Sequence, residues 1–543
     1  MSLVYFLALI GVLVTIHEFG HFAMAKLLDF QVTTFSIGFG RPIVRLKVGD
    51  TEYRVGIVPL GGYVRILGEE PDEDLASPRA YRRKPLWQQL MVVFAGPAAN
   101  LLLPVAIYFV FFAGHTELPA AFIGDILPGG PAQEAGLMAG DRVVAIDGES
   151  TRYFEDVETA VQASPGRELH LKIARGGKKF EKYIVPVSRT TRRRDGSSQS
   201  HGSIGISWAP FLPRVGVIDP SSPAGRAGLE TGDLIVSIDG RELSNWSQLE
   251  AAFESHGRRR NLAVFRGTTV AGGAQLLSPR LMAMVPETRV GGRGKSQVYA
   301  GLAPAEMFVS RVEPGSPADL AGLREGDLIT TLDDQQVRHW MLFDQRLQSR
   351  PDHQWKVGWQ RLGPGGQVLS LSAKVKQVRQ RRSDDYGNQQ TMLVFGAHSQ
   401  PSLGRSDMAP IDGRLTYAFG RAIDRTGETI GVLASGLWAI VRGQAPDMGG
   451  PVTMYRAASA SGKKGWSDFL LLIALISVSV GLLNLLPIPG LDGGQVLVFV
   501  LEAVRRGPLS PITRDRLTFV GLAVVGIITI LALKNDVMRI VLQ

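Results

Sequence analysis

The chain has 543 residues, a net charge of +9 and no cysteine. Disulfides and thiolate metal ligands are therefore excluded, and any metal ion would have to be held by histidine and carboxylate. The lysines and arginines are scattered through repeats and loops and form no patch interleaved with aromatic residues, so the positive charge does not indicate a nucleic-acid partner.

The chain begins with an apolar segment, Leu3–Leu28, that predicts a membrane-spanning helix over residues 1–29. The segment has no basic N-terminal region and is too long for a signal peptide, so we expect it to be retained. Within it lies an H-E-x-x-H motif formed by His17, Glu18 and His21.

This motif suits a metal site. Histidines four residues apart lie on one face of a helix, so His17 and His21 can direct both imidazoles at one ion, and Glu18 can reach a water on that ion. Zinc is favoured, because imidazole suits it and a third ligand would leave one position for water. Isolated matches to the motif also arise by chance. An ionisable group inside a bilayer costs on the order of 2.5–3.5 kcal/mol, however, which favours a functional site.

A polar loop over residues 30–89 follows the first span. Its stretches Val32–Phe39 and Thr51–Val58 alternate in polarity and predict a β-hairpin at the membrane edge. An edge strand there could pair with an unwound substrate, or the hairpin could be a plain cytoplasmic one. A clean apolar run then predicts the second spanning helix over residues 90–114.

Basic residues are concentrated in residues 29–89 and 502–516, the loops that connect the first two and the last two spans. Because short basic loops stay in the cytoplasm, we expect both loops inside and both chain termini outside. The long segment between spans two and three would then face outward. Loops of that length escape the rule, so its own charges do not bear on orientation.

Three similar stretches follow one another in this outer segment, at intervals of about 90 residues, a domain-sized period. Each combines a Pro-Ala pair, a Gly-Leu pair and a Gly-Asp pair, and the Pro-Ala pairs are Pro131-Ala132, Pro223-Ala224 and Pro317-Ala318. The pattern predicts a short helix, a turn and a strand in each copy. It resembles the bacterial type of PDZ domain, with copies at 120–188, 203–286 and 300–380.

The PDZ resemblance implies small β-rich modules, each with a groove in which a peptide C-terminus can add as a strand. The alternative is that the copies are steric or spacing modules without affinity for peptides. Stretches rich in Arg, Ser and Gly, Arg192–Ser203 and Gly291–Ser296, are expected to be linkers between the copies.

After the repeats, residues 411–464 mix apolar stretches with charges and are expected to hold an amphipathic helix on the outer membrane face. The last two spans are predicted at 469–501 and 517–535. Within the third, the sequence N-L-L-P-I-P-G-L-D-G-G at 484–494 should break the helix. Broken backbone at membrane depth is tolerated only where protein or a water-filled cavity receives it.

The broken stretch contains one carboxylate, Asp492. It is a natural third zinc ligand that would complete a tetrahedral set with His17, His21 and a water. Without the H-E-x-x-H motif, the same residue would be taken for a turn aspartate at the membrane surface.

The motifs now resemble those of the site-2 intramembrane metalloproteases, in particular of the RseP type, over nearly the whole chain. The matching motifs are H-E-F-G-H at 17–21, G-G-Y-V at 61–64, G-P-A-A-N at 96–100 and N-x-x-P-x-P-x-L-D-G-G at 484–494. One difference is that such proteins usually carry two PDZ domains, whereas this chain has three repeats.

The resemblance implies that His17, His21 and Asp492 bind one catalytic zinc ion and that Glu18 is the general base. It also implies that Asn484 holds the substrate.

The G-G-Y-V motif supplies further candidates for substrate contact, Gly61, Gly62 and Tyr63. The implied fold is a multidomain α-helical membrane protein with about four transmembrane helices, a membrane-associated β-hairpin, and β-rich PDZ-like domains inserted between helices two and three.

The implied activity is that of an intramembrane zinc endopeptidase in the bacterial inner (plasma) membrane. Its partners would be membrane lipid and single-pass membrane proteins already trimmed on the outer side, such as an anti-sigma factor or signal-peptide remnants. The PDZ domains would be periplasmic and the active site would lie toward the cytoplasmic side.

Two other functions compete with this interpretation. The first is a membrane-anchored PDZ scaffold or chaperone with a vestigial metal site. Such a protein would not need His17, Glu18, His21 and Asp492 all to be present, whereas this chain has all four. A zinc or cation transporter would need more intramembrane carboxylates and histidines than the sequence provides.

Overall fold

The computed structural model describes residues 2–69, 77–192, 198–254, 258–269, 275–290, 296–350, 352–383, 389–400, 402–442, 449–505, 507 and 509–541. The chain forms two compact units. The helical unit comprises Met1–Thr116, Arg381–Gln390 and Ile411–Gln543, and the strand-rich unit comprises Glu117–Gln380 and Thr391–Pro410.

The helical unit begins with two long helices joined by a β-hairpin. Its N-terminal elements are α1 (Ser2–Leu27), β1 (Val32–Val48), β2 (Thr51–Ile66), a 3₁₀ helix (Tyr81–Arg83) and α2 (Leu86–Ala113). The two strands pair antiparallel, and Val48 lies opposite Thr51 at the turn.

Three successive repeats of similar construction follow along the chain. Repeat 1 contains β3 (Glu117–Pro119), β4 (Asp125–Ile126), α3 (Pro131–Glu134), β5 (Arg142–Ile146), β6 (Glu149–Ser150), α4 (Phe154–Gln162), β7 (Leu169–Arg175), β8 (Lys178–Ile184), β9 (Val187–Arg192), β10 (Ser198–Ser203) and β11 (Ile206–Ser207). Repeat 2 contains β12 (Val215–Gly216), α5 (Pro223–Arg226), β13 (Leu234–Ile238), β14 (Arg241–Glu242), α6 (Trp246–Glu254), β15 (Arg260–Thr269), β16 (Gln275–Met284), β17 (Glu287–Val290), β18 (Ser296–Tyr299) and β19 (Ala303–Pro304).

Repeat 3 begins with a second 3₁₀ helix. It contains that helix (Ala305–Met307), β20 (Arg311–Val312), α7 (Pro317–Leu320), β21 (Leu328–Leu332), β22 (Gln335–Gln336), α8 (Trp340–Ser349), β23 (Gln354–Leu362), β24 (Val368–Lys376), β25 (Val378–Ser383), β26 (Gln389–Val394) and β27 (Ala397–His398). The chain then passes through β28 (Met408–Pro410) and five helices, α9 (Arg414–Val441), α10 (Pro451–Lys464), α11 (Trp466–Leu485), α12 (Asp492–Arg505) and α13 (Pro511–Val541).

Four helices of the described residues are long and apolar enough to cross a membrane: Ser2–Leu27, Leu86–Ala113, Trp466–Leu485 and Ile512–Met538. Together with the many β-sheets, they confirm the coarse class predicted from the sequence, a membrane protein with about four spanning helices and β-rich domains.

Within 469–501, where the sequence predicts a break at 484–494, the chain forms two helices, α11 and α12, because Pro487 and Pro489 cannot continue a helix. Residues 411–464, expected to hold an amphipathic helix, contain the helices α9 and α10 in their described part.

Each repeat is built around a four-stranded antiparallel sheet with its own hydrophobic core. The strand orders are β6-β5-β7-β8, β14-β13-β15-β16 and β22-β21-β23-β24. Leu171, Leu262 and Val357 occupy equivalent positions in the third strand of these orders, and all three are fully buried. The three copies therefore share one sheet architecture.

An aspartate–arginine pair ties a glycine turn to the sheet in each repeat. The pairs are Asp141–Arg175, Asp233–Arg266 and Asp327–Arg361, with N–O distances of 2.5, 2.6 and 2.6 Å, and the aspartate side chains are at most 1% exposed. The arginines also donate to the carbonyl oxygens of Gly136, Gly228 and Gly322. The Gly-Asp pair that marks the repeats in the sequence thus has a structural role.

Each repeat ends in a glycine loop that lies beyond the predicted domain limits. The N–H groups of Ala132, Ala224 and Ala318 donate to the carbonyl oxygens of Ile204, Ala300 and Phe395. The glycines that follow, Gly205, Gly301 and Gly396, have φ values of 77°, 76° and 91°, which favour glycine. Ile204 is 1% exposed and belongs to the core of repeat 1.

The predicted limits 120–188 and 203–286 therefore differ from the structure, because residues 198–207 belong to repeat 1. The sequence motif marks only the middle of each copy. The expected linkers also differ in their described residues: Arg192 and Ser198–Ser203 belong to the pair β9–β10, and Ser296 begins β18. Residues 193–197 and 291–295 of these linkers lie outside the described residues.

The segment after repeat 3 returns to repeat 1. The N–H of Leu212 donates to the carbonyl of Ser402, and the N–H of Gly404 donates to the carbonyl of Pro210, both at 2.8 Å. This is an antiparallel strand contact, and further along β28 pairs with β3. The strand-rich unit is therefore closed by pairing between its first and last strands.

We predict that the aspartate–arginine pair of repeat 2 is a major source of its stability. Arg266→Met leaves Asp233 buried without its cation, which should lower the local free energy of unfolding by about 3–5 kcal/mol. Hydrogen exchange of β13 and β15 in the full-length chain would measure this loss.

The matched control is Arg226→Met. Arg226 pairs with Glu287, but the two side chains are 54% and 37% exposed, so its loss should cost less than about 1 kcal/mol. Equal effects of the two substitutions would contradict the assigned role of Asp233.

Candidate metal centre

The helices α1 and α2 approach closely at two glycines. A Cβ atom on Gly20 would lie 2.8 Å from Cβ of Ala99. A Cβ atom on Gly96 would lie 2.6 Å from Cε1 and 2.7 Å from Cδ2 of the His21 imidazole. Small residues of this kind allow helices in a membrane to pack backbone to backbone. Here the missing side chain of Gly96 makes room for the His21 ring between the helices.

The structure brings the side chains of His17, His21 and Asp492 together. His17 Nε2 and His21 Nε2 lie 3.1 and 3.5 Å from Asp492 Oδ2, and 3.3 Å from each other. In a tetrahedral zinc site with bonds of about 2.0–2.1 Å, neighbouring donor atoms are about 3.3 Å apart. The three side chains are at most 17% exposed. Their spacing therefore fits one zinc ion.

Asp492 Oδ2 gives independent support for this fit. The atom is buried and faces the two Nε2 atoms, but among the described residues it makes no contact with hydrogen-bond geometry. A buried carboxylate oxygen without a partner is costly unless a cation faces it. A metal ion between the three donor atoms would satisfy it.

Asp492 reaches the two histidines because the chain breaks between α11 and α12. It is the first residue of α12, and the two glycines after it lie against the preceding loop. A Cβ atom on Gly493 would lie 2.6 Å from the carbonyl oxygen of Leu485, and one on Gly494 would lie 2.5 Å from Cα of Pro489. The L-D-G-G sequence thus lets α12 turn tightly after the break.

Glu18 lies on the same turn of α1, half-buried beside β2. A Cβ atom on Gly62 would lie 3.1 Å from Glu18 Cγ, so the absence of a side chain at Gly62 lets the strand backbone approach the glutamate. The carboxylate also interacts with the backbone N–H of Val64. A peptide that lay along this strand would therefore pass next to Glu18.

The hairpin has an irregular register that creates an open edge at this point. Phe35 pairs with both Tyr53 and Val64, so the start of β1 lies between two parts of β2. The stretches Val32–Phe39 and Thr51–Val58, in which the sequence suggested an edge strand, pair with each other. Among the described residues no further strand pairs with Gly62–Ile66, which is the edge nearest to Glu18.

The other predicted substrate-contact residues lie near this edge or at the chain break. The Phe39 ring lies against Gly61 and stacks on Tyr63 with a centroid distance of 6.2 Å, and Tyr63 also accepts a hydrogen bond from Arg54 at 3.4 Å. Asn484 is in the last turn of α11 and half-buried, and the described residues provide no hydrogen bond to its side chain.

Sequence reasoning missed a second layer of contacts around the histidines. His21 Nδ1–H donates to the carbonyl oxygen of Val92 at 2.8 Å, and His17 Nδ1 lies 3.2 Å from the side-chain amide of Asn100. Val92, Gly96 and Asn100 are four residues apart, so they lie on one face of α2. Two signals were available: this spacing, which matches the spacing of His17 and His21 on α1, and the G-P-A-A-N motif at 96–100, which the sequence analysis named without assigning it a role.

Comparisons with known proteins agree with this geometry. The family model described as Peptidase family M50 matches residues 5–528. The chain is 25% identical to the Regulator of sigma-E protease RseP of Escherichia coli (strain K12), over 98% of both chains, and 25% identical to the Protease RseP of Yersinia pestis, over 99% of both. It is 26% identical to a protein of Neisseria meningitidis named as a candidate zinc metalloprotease, over 99% of both chains.

The family match runs from α1 into α13 and includes every helix that contributes to the cluster of histidines and aspartate. The donor set contains only imidazole and carboxylate, which suits zinc. The chain therefore belongs to peptidase family M50, the site-2 protease family, and is a zinc metalloprotease of the membrane.

Proposed function

We propose that this chain is an intramembrane endopeptidase, which hydrolyses peptide bonds in or near the spanning segments of other membrane proteins. The observation that carries the proposal is the position of Glu18 and both histidines on α1, an apolar helix long enough to cross a membrane. A protease site on such a helix is placed to act on substrates that share the bilayer.

The proposed roles follow from the contacts. His17, His21 and Asp492 would hold the zinc ion, which when bound polarises a peptide carbonyl and makes water nucleophilic near neutral pH. Glu18 would accept a proton from the attacking water and deliver it to the leaving nitrogen as the C–N bond breaks. Asn484 is proposed to hold the substrate backbone from the end of α11.

The open strand edge supports a way to present the substrate. A peptide bond within a helix is shielded, so the substrate must unwind before it can react. Among the described strands only β1 pairs with this stretch of β2, Gly62–Ile66, so an extended segment can add at the other edge by strand addition. Gly61, Gly62 and Tyr63 would then contact the substrate, with Gly62 leaving the space beside Glu18 clear.

The relatives suggest the physiological setting. The relatives in Yersinia pestis and Escherichia coli are named RseP, and the name in Escherichia coli is Regulator of sigma-E protease. We therefore propose a bacterial inner-membrane location and substrates that are trimmed single-pass membrane proteins, such as an anti-sigma factor or signal-peptide remnants. The short basic loops support an active site that faces the cytoplasm and repeats that face the periplasm.

The three repeats are proposed to be PDZ-like modules that exclude substrates with large outer domains. In repeat 1, a peptide would add to the edge of β11. The residues that follow this strand, Trp208–Leu212, continue the chain from that edge. The returning segment 402–406 already pairs with this continuation. This contact favours steric exclusion over peptide capture, at least in repeat 1.

Replacement of the proposed base tests the mechanism. Glu18→Gln keeps the size of the side chain but removes its ability to accept a proton, so we expect unchanged zinc content and a fall in cleavage rate of at least about 10²-fold. The assay is cleavage of a trimmed single-pass substrate by purified protein in detergent.

A zinc chelator should abolish cleavage by the native protein in the same assay. Undiminished proteolysis by the Glu18→Gln variant would refute the assigned role of Glu18. Loss of all zinc binding in the native protein would instead favour a membrane-anchored scaffold with a vestigial site.

The glycine contact with His21 predicts a second effect. Gly96→Ala places a methyl group inside the His21 imidazole, and overpacking of this kind costs about 1–3 kcal/mol. We expect zinc affinity to fall roughly tenfold to a hundredfold, measured by competition with a chelating dye.

Gly11→Ala is the matched control, because it lies on α1 and a Cβ atom there meets nothing within 4 Å. It should leave zinc affinity unchanged. If Gly96→Ala also left it unchanged, the close crossing of α1 and α2 would not be what positions His21.

The proposed exclusion by the repeats can be tested by removing them. Thr116 and Ile411 are joined by a backbone hydrogen bond of 3.0 Å, so residues 117–410 can be replaced by a short Gly-Ser linker. We expect the shortened protein to cleave substrates with intact outer domains that the native protein rejects, and to keep its activity on trimmed substrates.

The same deletion combined with Glu18→Gln controls for other proteases. If the deletion abolished cleavage of trimmed substrates while zinc remained bound, the repeats would be needed to recruit the substrate, and peptide capture would replace exclusion.

A further inference from the structure

Asn100 is a fully buried side chain with an unusual contact. Its amide Nδ2 lies 3.2 Å from His17 Nδ1, and its Oδ1 has no hydrogen-bond partner among the described residues. Leaving a buried polar atom unpaired costs about 1–3 kcal/mol. An ordinary packing position between two apolar helices would not need an amide, so this one calls for another explanation.

The metal-binding geometry of His17 explains the amide. Nε2 of His17 points to Asp492 and His21, so a metal ion would bind this nitrogen. A neutral imidazole that uses Nε2 as a ligand carries its proton on Nδ1, and Nδ1–H then needs an acceptor. A rotation of the Asn100 side-chain amide by half a turn exchanges the positions of Oδ1 and Nδ2 and leaves the volume of the side chain unchanged. Oδ1 then faces His17 and accepts the hydrogen bond from Nδ1–H.

We propose that Asn100 is a positioning residue for zinc, which accepts a hydrogen bond from His17 Nδ1–H and fixes the orientation of this ring. The inference rests on the proposed ligand set. It gives the two histidines equivalent support from α2, because His21 Nδ1–H donates to the Val92 carbonyl. His21 is held by a backbone carbonyl, whereas His17 is held by the side chain of Asn100. The contact with His17 can therefore be removed by a substitution.

The backbone of Asn100 makes a separate contact with α11. The carbonyl oxygen of Asn100 accepts a hydrogen bond of 2.7 Å from the hydroxyl of Ser477 on α11, which is also fully buried. Three helices thus meet at this residue: α1 through His17, α2 through its own backbone and α11 through Ser477. Outer-layer partners of histidine ligands orient the ring and increase its basicity, and their loss typically weakens metal binding by about 10- to 100-fold.

The test compares zinc affinity in full-length variants purified in detergent and stripped of metal, with Zn²⁺ titrated against a chelating dye. Asn100→Leu has a similar volume but no acceptor, and we expect its zinc affinity to fall about 10- to 100-fold. Asn100→Asp keeps an acceptor for Nδ1–H, and it should retain native affinity or exceed it. A role in packing alone would not produce this difference between Leu and Asp.

Ser477→Ala is the matched control. It removes a buried hydrogen bond to the same residue while leaving the Asn100 amide, so it should leave zinc affinity unchanged. If Asn100→Leu fails to fold, Asn100→Ala against Asn100→Asp gives the same comparison. The proposal is overturned if the Leu or Ala variant binds zinc as tightly as the native protein, or if Asp binds as weakly as they do.

His17→Ala separates this inference from the assignment of the ligands. If His17→Ala binds zinc with native affinity, the ligand set is wrong and the role of Asn100 falls with it. If His17→Ala loses zinc while Asn100→Leu retains it, the ligand set stands and the positioning role of Asn100 is refuted.

Discussion

The close crossing of α1 and α2 is the constraint on which the rest of the metal centre depends. Two imidazoles in an apolar helix need hydrogen-bond partners, because unpaired polar groups in the bilayer cost several kcal/mol each. The absence of side chains at Gly20 and Gly96 lets the helices approach until the α2 backbone itself can serve as a partner. A larger residue at Gly96 would occupy the volume of the His21 ring. The crossing therefore decides where the histidines point, and Asp492, the proposed third ligand, has to come to them.

The chain break between α11 and α12 is what brings Asp492 to that position. A continuous helix over 469–501 would carry its carboxylate at a fixed angle from the preceding turns, with no freedom to meet α1. The break releases backbone groups, and local hydrogen bonds replace those of the helix, such as Leu491 N–H to the Ile488 carbonyl at 3.0 Å. The cost of irregular backbone at membrane depth is thus reduced by the same turn that presents the aspartate.

The sequence predicted the parts of the site that depend on local spacing, and missed those that depend on how distant segments meet. His17 and His21 follow from a helical period, and Asp492 follows from Pro and Gly in an apolar run. The open edge at Gly62–Ile66 could not be foreseen, since it exists only because Phe35 pairs on both sides. The contact of Asn100 with His17 likewise requires knowing which face of α2 meets α1. The ends of the repeats were misplaced because the motif covers only their middle.

The repeats show why a sequence signature is weaker evidence for binding than for fold. Their Gly-Asp motif is explained by a buried ion pair that ties a turn to a sheet, an interaction that stabilises each copy whether or not it binds a peptide. Whether a copy can bind a peptide depends on whether the edge strand of its groove is free to pair. In repeat 1, the chain that continues from this edge strand already pairs with residues 402–406. A module that excludes large domains needs only a stable shape. All three copies share the ion pair that stabilises the fold, whereas in repeat 1 the chain that continues from β11 is already paired, so the proposed exclusion of large domains fits these observations better than peptide capture does.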